Sequence, residues 1–162
     1  ARLEDNWRPL PEPLDLETIV RDCARSLQTR FPKANIRINV PPNFLPVQAD
    51  KPGLTAVVQN LLENAIKYSP DEKDIRLSAW MEGRQLAIAV EDHGIGIPTE
   101  EQSRIFEKFY RVPTGNVHNV KGFGLGLSYV KKIVEEHGGS VGVESEPGKG
   151  SVFYIMLPFA EE

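Results

Sequence analysis

The 162-residue sequence contains a single cysteine, no excess of basic residues and no long apolar run. Cys23 alone cannot form an internal disulfide, and it has no zinc-ligand spacing with the three histidines. Lys and Arg number 19 against 23 Asp and Glu, and the net charge of −4 argues against nucleic-acid binding. No apolar run approaches the roughly 20 residues of a membrane span, and the first residues lack a signal-peptide core. We expect a cytoplasmic domain with no direct membrane contact.

The first 13 residues are predicted to be a linker after the end of an upstream helix, because three prolines interrupt any continuous helix there. The chain opens at Ala1 without a methionine, so we expect it to be a piece of a longer protein. One domain is predicted over residues 14–160, a length that leaves no room for a second core.

Apolar periodicity predicts an α+β domain in which helices cover one face of a sheet. A first helix begins near Leu14 with Asp15 as its cap, and a second runs from about Pro52 to Tyr68. The other predicted elements are strands at Ile36–Val40 and around Val47, a hairpin of Ile75–Met81 and Gln85–Glu91, a helix at Leu125–Glu136, and final strands at Ser140–Glu144 and Ser151–Leu157. The order favours a two-layer α/β sandwich with a mixed, mostly antiparallel sheet.

The second predicted helix carries two asparagines and a lysine on the side opposite its apolar stripe. Asn60, Asn64 and Lys67 lie within about 60° of one another on a helical wheel. Asparagine is a mediocre helix former, so two of them four residues apart suggest a function. Amide oxygens suit Mg²⁺ and an ammonium suits phosphate, whereas the alternative is a plain solvated face. The spacing alone leaves both interpretations open.

One glycine-rich segment follows the predicted hairpin, and another opens the last predicted helix. Asp92 to Ile97 follows a strand, where glycines admit a ligand and a carboxylate accepts hydrogen bonds from an exocyclic amine; a plain turn is the alternative. Gly122 to Leu127 opens a helix whose N–H groups suit phosphate. Its spacing does not match a dinucleotide-binding fingerprint. A P-loop is excluded as well, because five residues separate Gly142 from Gly148 and Lys149 is followed by Gly150. Gly148 to Ser151, taken alone, is typical of a hairpin turn.

Five segments, in their order and spacing, resemble the motifs of sensor histidine kinases. These are the asparagine box, first glycine box, phenylalanine box, second glycine box and final glycine motif: QNLLENAIKYSP (59–70), VEDHGIGIP (90–98), IFEKFYRV (105–112), GFGLGLSYVKKIVEEHGG (122–139) and GKGSVFYIMLP (148–158). The resemblance covers roughly residues 14–160. It implies the catalytic ATP-binding domain of a two-component kinase, with the Bergerat-type sandwich shared by gyrase and heat-shock chaperone ATPases.

The resemblance also implies roles for individual residues around ATP and Mg²⁺. Asn64 would hold Mg²⁺ with help from Asn60. Lys67 would contact phosphate, and Lys108 and Arg111 would approach the terminal phosphates. Tyr68 would lie against the adenine, and Asp92 would accept a hydrogen bond from the adenine amino group. Ser151 would lie near the base, where the family usually has threonine. The remaining implied nucleotide contacts are Gly94, Gly96, Ile97, Phe106, Phe109, Lys121, Gly122, Phe123, Gly124, Leu125, Gly126 and Leu127.

None of the three histidines stands in the family's phosphoacceptor context, so the resemblance implies an acceptor on a separate dimerisation domain of the same kinase. A response regulator would be an indirect partner, whether or not the parent protein is anchored in the inner membrane. Gyrase-type ATPases carry a glutamate where this chain has Asn60, so hydrolysis is expected to be slow. The alternatives are an anti-sigma-factor-type serine kinase and a degenerate domain that only docks a partner. Asn64, Asp92 and the three glycines of the second glycine box argue against the degenerate domain. These glycines are Gly122, Gly124 and Gly126.

Overall fold

A five-stranded sheet and three long helices form the body of the domain. The computed structural model describes residues 6–41, 46–69, 74–107 and 123–158. For residues 123–125 it describes the backbone but not the side chains. The elements in chain order are β1 (Pro11–Leu14), α1 (Leu16–Arg30), β2 (Asn35–Asn39), β3 (Val47–Asp50), α2 (Lys51–Lys67), β4 (Asp74–Glu82), β5 (Gln85–Asp92), α3 (Thr99–Gln102), α4 (Phe123–Glu136), β6 (Ser140–Glu146) and β7 (Gly150–Pro158).

The main sheet has the strand order β2-β4-β5-β7-β6. The pair β2–β4 is parallel, and the three other pairs are antiparallel. Strands β1 and β3 form a separate antiparallel ribbon. The predicted fold class is therefore confirmed, although the strands predicted on either side of residue 42 lie in different sheets.

Alternate residues of the central strands form the core, as the period of two in a strand requires. On β4 and β5 the buried set includes Ile75, Leu77, Leu86, Ile88 and Val90. Helix α2 packs against α1, α4 and the two strands β4 and β5. It is therefore the central helix, and side chains on more than one of its faces meet protein rather than water.

The N-terminal segment differs from the predicted linker. Pro11–Leu14 forms β1, and ahead of it the Trp7 ring lies 6.3 Å from the His137 ring, while Arg8 Nη1 lies 3.3 Å from Glu136 Oε1. Prolines are tolerated in β1 because it is an edge strand with one partner, where not every N–H needs to donate. The packed part of the chain thus begins before residue 14.

Two aspartates cap the helices that begin after β1 and β3. Asp15 Oδ1 accepts a hydrogen bond from Glu17 N at 3.2 Å, as the sequence predicted for α1. Asp50 caps α2 through Oδ2, which accepts from Gly53 N at 2.8 Å, and its Oδ1 accepts from Leu10 N at 3.0 Å. Asp50 therefore fixes both the start of α2 and the N-terminal segment.

We expect Asp50→Ala to lower the free energy of unfolding by about 2 kcal/mol, against about 1 kcal/mol for Asp15→Ala. The larger effect follows because Asp50 is buried and satisfies two backbone donors, whereas the bonds of Asp15 are exposed. Urea unfolding of both variants measures the difference. An Asp50→Ala loss no greater than the Asp15→Ala loss would contradict this account of the N-terminal segment.

Candidate functional site

Asp92 lies at the end of β5 and is one of the few buried carboxylates, with 4% of its surface exposed. Its Oδ1 accepts a hydrogen bond from Gly94 N at 2.9 Å, and the backbone N–H of Ser151 donates to the same carboxyl group. Burial raises the pKa of Asp92 to about 6, although these two backbone hydrogen bonds and the nearby His93 act to lower it. The group is thus a buried hydrogen-bond acceptor at neutral pH. We call Asp92, Gly94 and Ser151 the Asp92 cluster.

The glycines after Asp92 allow the loop to lie against other parts of the main chain. A Cβ on Gly94 would overlap the carbonyl group of Tyr68, and Ile95 N donates to the same Tyr68 oxygen at 3.2 Å. Gly96 has φ +75°, and a Cβ there would overlap the main chain of Glu146. The space beside both glycines is therefore filled by backbone, which gives each glycine a packing reason whatever it does toward a ligand.

Asn60 and Asn64 face the first turn of α4. A Cβ on Gly126 would lie 3.0 Å from Asn60 Oδ1 and 3.7 Å from Asn64 Nδ2. Asn60 Nδ2 donates to Ala56 O at 2.8 Å, which leaves the Asn60 oxygen turned toward α4. The two amides therefore share one small region at the start of α4.

The interpretation of this helix side as solvated is wrong for Asn64. Only 7% of the residue is exposed, because α4 packs over this side of α2. Among the described residues Asn64 Nδ2 has no hydrogen-bond partner. A buried amide nitrogen left without a partner costs on the order of 1–3 kcal/mol, so Asn64 Nδ2 is a candidate hydrogen-bond donor to a ligand.

Lys67 ends α2 paired with a carboxylate. Its Nζ lies 3.1 Å from Glu63 Oε2, which Arg30 Nη2 also contacts at 3.0 Å. Burial alone would raise the pKa of Glu63, but the hydrogen bonds and charges of Lys67 and Arg30 outweigh it and lower that pKa. Glu63 thus holds Lys67 in place. The i,i+4 spacing of Glu63 and Lys67 could have indicated this pair from the sequence.

Other predicted contacts are core residues as well as candidates for binding. Tyr68, Ile97 and Leu127 are buried, and the Phe106 ring meets the Phe153 ring edge-on at 6.4 Å. Tyr68 caps α2 one turn after Asn64, and its carbonyl oxygen accepts from Ile95 N at 3.2 Å, so the C-terminal end of α2 contacts the loop after Asp92. Five predicted residues lie outside the described residues: Lys108, Phe109, Arg111, Lys121 and Gly122. Of Phe123, Gly124 and Leu125 the structure gives the helical backbone alone.

Two polar residues near the Asp92 cluster carry no sequence motif that predicted them. Ser145 Oγ accepts from Ile97 N at 2.7 Å and lies 2.7 Å from Ser151 Oγ. Gln102 Nε2 donates to the main-chain oxygens of Ile97 and Ser145, each at 2.9 Å. The bonds of Ser145 to Ile97 and to Gln102 join residues 48 and 43 positions apart in sequence, so no local spacing could have indicated that these segments meet.

A protein-family comparison decides the identity of the chain. Residues 49–161 match the family described as Histidine kinase-, DNA gyrase B-, and HSP90-like ATPase. The chain belongs to this family. The predicted resemblance is confirmed, and the domain is a histidine kinase ATPase domain homologous to two-component sensor kinases. The serine-kinase and docking-only alternatives are not favoured.

Individual relatives of this ATPase domain are sensor kinases. Sensor protein RprX of Bacteroides fragilis is 50% identical over 112 residues, which cover 68% of this chain and 22% of that protein. Adaptive-response sensory kinase SasA of Prochlorococcus marinus is 39% identical over 94% of this chain and 42% of its own length. The chain thus spans less than half of each of these relatives, and it corresponds to their catalytic ATPase part.

Solved structures agree with the sequence relatives. The mycobacterial sensor histidine kinase MprB superposes with a TM-score of 0.78 at 27% identity and covers 94% of this chain and all of that one. Full-length ShkA, solved in complex with AMPPNP, superposes with a TM-score of 0.78 at 30% identity over all of this chain and 33% of its own. Among the described residues of the ATPase domain, no helix is both long and apolar enough to cross a membrane.

Proposed function

We propose that this ATPase domain binds ATP with Mg²⁺ and presents the terminal phosphate to a histidine on a separate dimerisation domain of the same kinase. The observation that carries the proposal is the buried Asp92 carboxylate at the end of β5, in a chain of this ATPase family. The complex of its structural relative ShkA with AMPPNP supports a nucleotide as the ligand. Each part of the site then has a separate task.

Asp92 would select the base. Its carboxylate is an acceptor, so it pairs with the exocyclic amine of adenine and opposes the carbonyl oxygen that guanine has at the same position. Two backbone donors, Gly94 N and Ser151 N, hold the carboxyl group in place. Tyr68 and Ile97 would supply apolar contact to the ring.

Asn60 and Asn64 fit a Mg²⁺ ion that is held mainly by phosphate. The Asn60 oxygen is turned toward α4, and the Asn64 oxygen would be the second amide ligand, while Asn64 Nδ2, which has no partner among the described residues, would donate to a phosphate oxygen. Within the part of the chain that the structure describes, no three His, Cys, Asp or Glu side chains group as a metal site. Two amides therefore suit an ion whose other ligands are phosphate and water. Bound there, Mg²⁺ would neutralise phosphate charge.

The protein would act on the phosphates by position and charge, which supply most of the catalysis in phosphoryl transfer. Lys67, presented by Glu63, would contact phosphate beside the first turn of α4. Arg111, Lys108 and the glycines of the second glycine box keep their predicted roles. With Asn60 in place of a general base, water would not be activated, and ATP would be preserved for the acceptor.

The acceptor would come from outside this chain. Among the described histidines, His137 is engaged at both ring nitrogens by backbone groups, with Asp50 N at 3.0 Å and Ile133 O at 2.8 Å. The phosphoacceptor domain of the same kinase is the direct partner, and a response regulator would receive the phosphate afterwards. We place the domain in the cytoplasm, where ATP is available to it.

We expect calorimetry to detect binding of Mg·ATP, with GTP binding at least about 10-fold more weakly, because Asp92 would face a carbonyl oxygen instead of an amine. EDTA should weaken ATP binding through loss of the metal bridge to the asparagines. Equal affinity for ATP and GTP would contradict the role given to Asp92. Affinity that is indifferent to EDTA would contradict the metal site.

A further inference from the structure

Ser145 lies at the centre of a hydrogen-bond network beside the Asp92 cluster. Its hydroxyl meets three groups: Ile97 N at 2.7 Å, Gly150 O at 2.9 Å and Ser151 Oγ at 2.7 Å. The main-chain oxygen of Ser145 also accepts from Gln102 Nε2 at 2.9 Å. The residue therefore connects β6 to the loop of the first glycine box, to β7 and to the last residue of α3.

The direction of each hydroxyl hydrogen bond follows from whether its partner can donate or only accept. A serine hydroxyl has one proton to donate and two lone pairs that accept. Ile97 N–H can only donate, so it uses one lone pair of Ser145. Gly150 O can only accept, so it takes the single Ser145 proton. The remaining lone pair faces Ser151, and the 2.7 Å contact then requires Ser151 to be the donor.

We propose that Ser145 is a positioning residue whose Oγ accepts a hydrogen bond from the Ser151 hydroxyl. The side chains of the Asp92 cluster can then accept hydrogen bonds but cannot donate any. Ser151 stands directly opposite Asp92 in the β5–β7 ladder and is buried. With its proton held by Ser145, its oxygen offers lone pairs only. The Asp92 carboxylate is likewise an acceptor at neutral pH.

An all-acceptor cluster favours a base whose C6 substituent donates. Adenine carries an amine with two N–H groups at C6, whereas hypoxanthine carries a carbonyl oxygen there and has its proton on N1. Two acceptors beside the C6 substituent therefore favour adenine. A Ser151 hydroxyl released from Ser145 could turn and donate to that oxygen. Ser145 would thus set base specificity without touching the nucleotide. This inference rests on the proposed adenine site.

The test is a double-variant cycle that uses ATP and ITP as ligands. Dissociation constants for both nucleotides with Mg²⁺ are measured for the unchanged chain, Ser145→Ala, Ser151→Ala and the double variant. We expect Ser145→Ala to reduce the preference for ATP over ITP by about 10-fold, the scale of one hydrogen bond gained or lost. In the Ser151→Ala background the same change should leave the preference unaltered, because no hydroxyl remains to reorient.

Controls separate specificity from folding. Ser140→Ala removes an exposed hydroxyl at the start of the same strand and should leave the preference unchanged, while Ser145→Thr should restore it. If Ser145→Ala does not fold, Ser145→Cys, with a weak thiol, should shift the preference in the same direction.

Three results would overturn the inference. One is equal weakening of ATP and ITP by Ser145→Ala, or by Ser145→Cys if it is used instead. Another is an equal change of preference by Ser145→Ala with and without the Ser151 hydroxyl. Failure of the unchanged chain to bind or discriminate would overturn the proposed function as well, so the two failures are distinguishable.

Discussion

Asp92→Asn is expected to weaken Mg·ATP binding by about 100-fold and, in the same molecule, to raise the free energy of unfolding by about 2 kcal/mol. Binding is lost because Gly94 N must keep the acceptor that Asp92 Oδ1 provides, so the amide oxygen takes that position. The amide NH₂ group then faces the adenine amine. Donor would meet donor at the position where recognition is proposed.

The gain in stability follows from the raised pKa of Asp92. Its folded value is about 6 against 3.8 for an ordinary aspartate, so the folded state favours the protonated carboxyl. That contribution is fully present below pH 3.8 and is lost as the pH rises through 6. A shift of about two units corresponds to about 3 kcal/mol, from which the weaker backbone hydrogen bonds of an amide subtract.

Urea unfolding between pH 4 and pH 7 measures the stability change, and calorimetry measures ATP affinity. The unchanged chain should lose stability relative to Asp92→Asn across this interval, whereas Asp22→Asn, an exposed control, should follow the unchanged chain in both measurements. A destabilised Asp92→Asn variant with a normal pH profile would show that the carboxylate is a structural group.

Asn64→Leu is expected to reduce Mg·ATP affinity by about 100-fold while the domain becomes more stable by about 1 kcal/mol. Leucine has the branched shape of asparagine but no polar atoms, so it removes the unpartnered buried amide. It also removes a group that would hold Mg²⁺. One substitution thus removes both the unpartnered Nδ2 and the oxygen that would hold Mg²⁺, so stability and binding change in opposite directions, as is common at functional sites.

The magnesium dependence of binding separates this account from a general distortion of the site. In the unchanged chain EDTA should weaken ATP binding, whereas in Asn64→Leu the affinities with Mg²⁺ and with EDTA should become nearly equal. Asn39→Leu, an exposed replacement on β2, serves as the matched control and should retain the difference. Tight, magnesium-dependent binding by Asn64→Leu would exclude Asn64 from the metal site.

Local patterns predicted the elements but not their contacts. The period of α2 and the cap at Asp15 are properties of one segment, and the structure has both. The burial of Asn64 depends on α4, which comes about 60 residues later, and helical periodicity carries no information about a second helix on the polar side. The pairing of β1 with β3 depends on tertiary contact in the same way, and prolines concealed it.

The candidate site was predicted mainly because its motifs recur in a known family in a fixed order. Those motifs led to Asp92 and the asparagines. The structure places the loop after Asp92 against Tyr68 at the end of α2, the helix that carries both asparagines. Ser145 and Gln102 were missed because the hydrogen bonds that bring them beside the first glycine box, Ile97 N to Ser145 Oγ and Gln102 Nε2 to Ser145 O, span 48 and 43 residues and involve main-chain groups. A serine or glutamine outside a recognised motif gives no indication in the sequence that it belongs to a site.

Phosphotransfer to a separately expressed dimerisation domain of the parent kinase tests the central claim most directly. Incubated with γ-labelled ATP and Mg²⁺, this chain alone should take up no stable label and hydrolyse ATP slowly. With the histidine-bearing domain added, label should appear on that domain and be labile in acid but stable in alkali. The transfer should be weaker than in a linked protein, because unlinked domains lack the effective concentration of a tether. Acid-stable label on this chain itself would contradict the account and indicate a hydroxyl kinase.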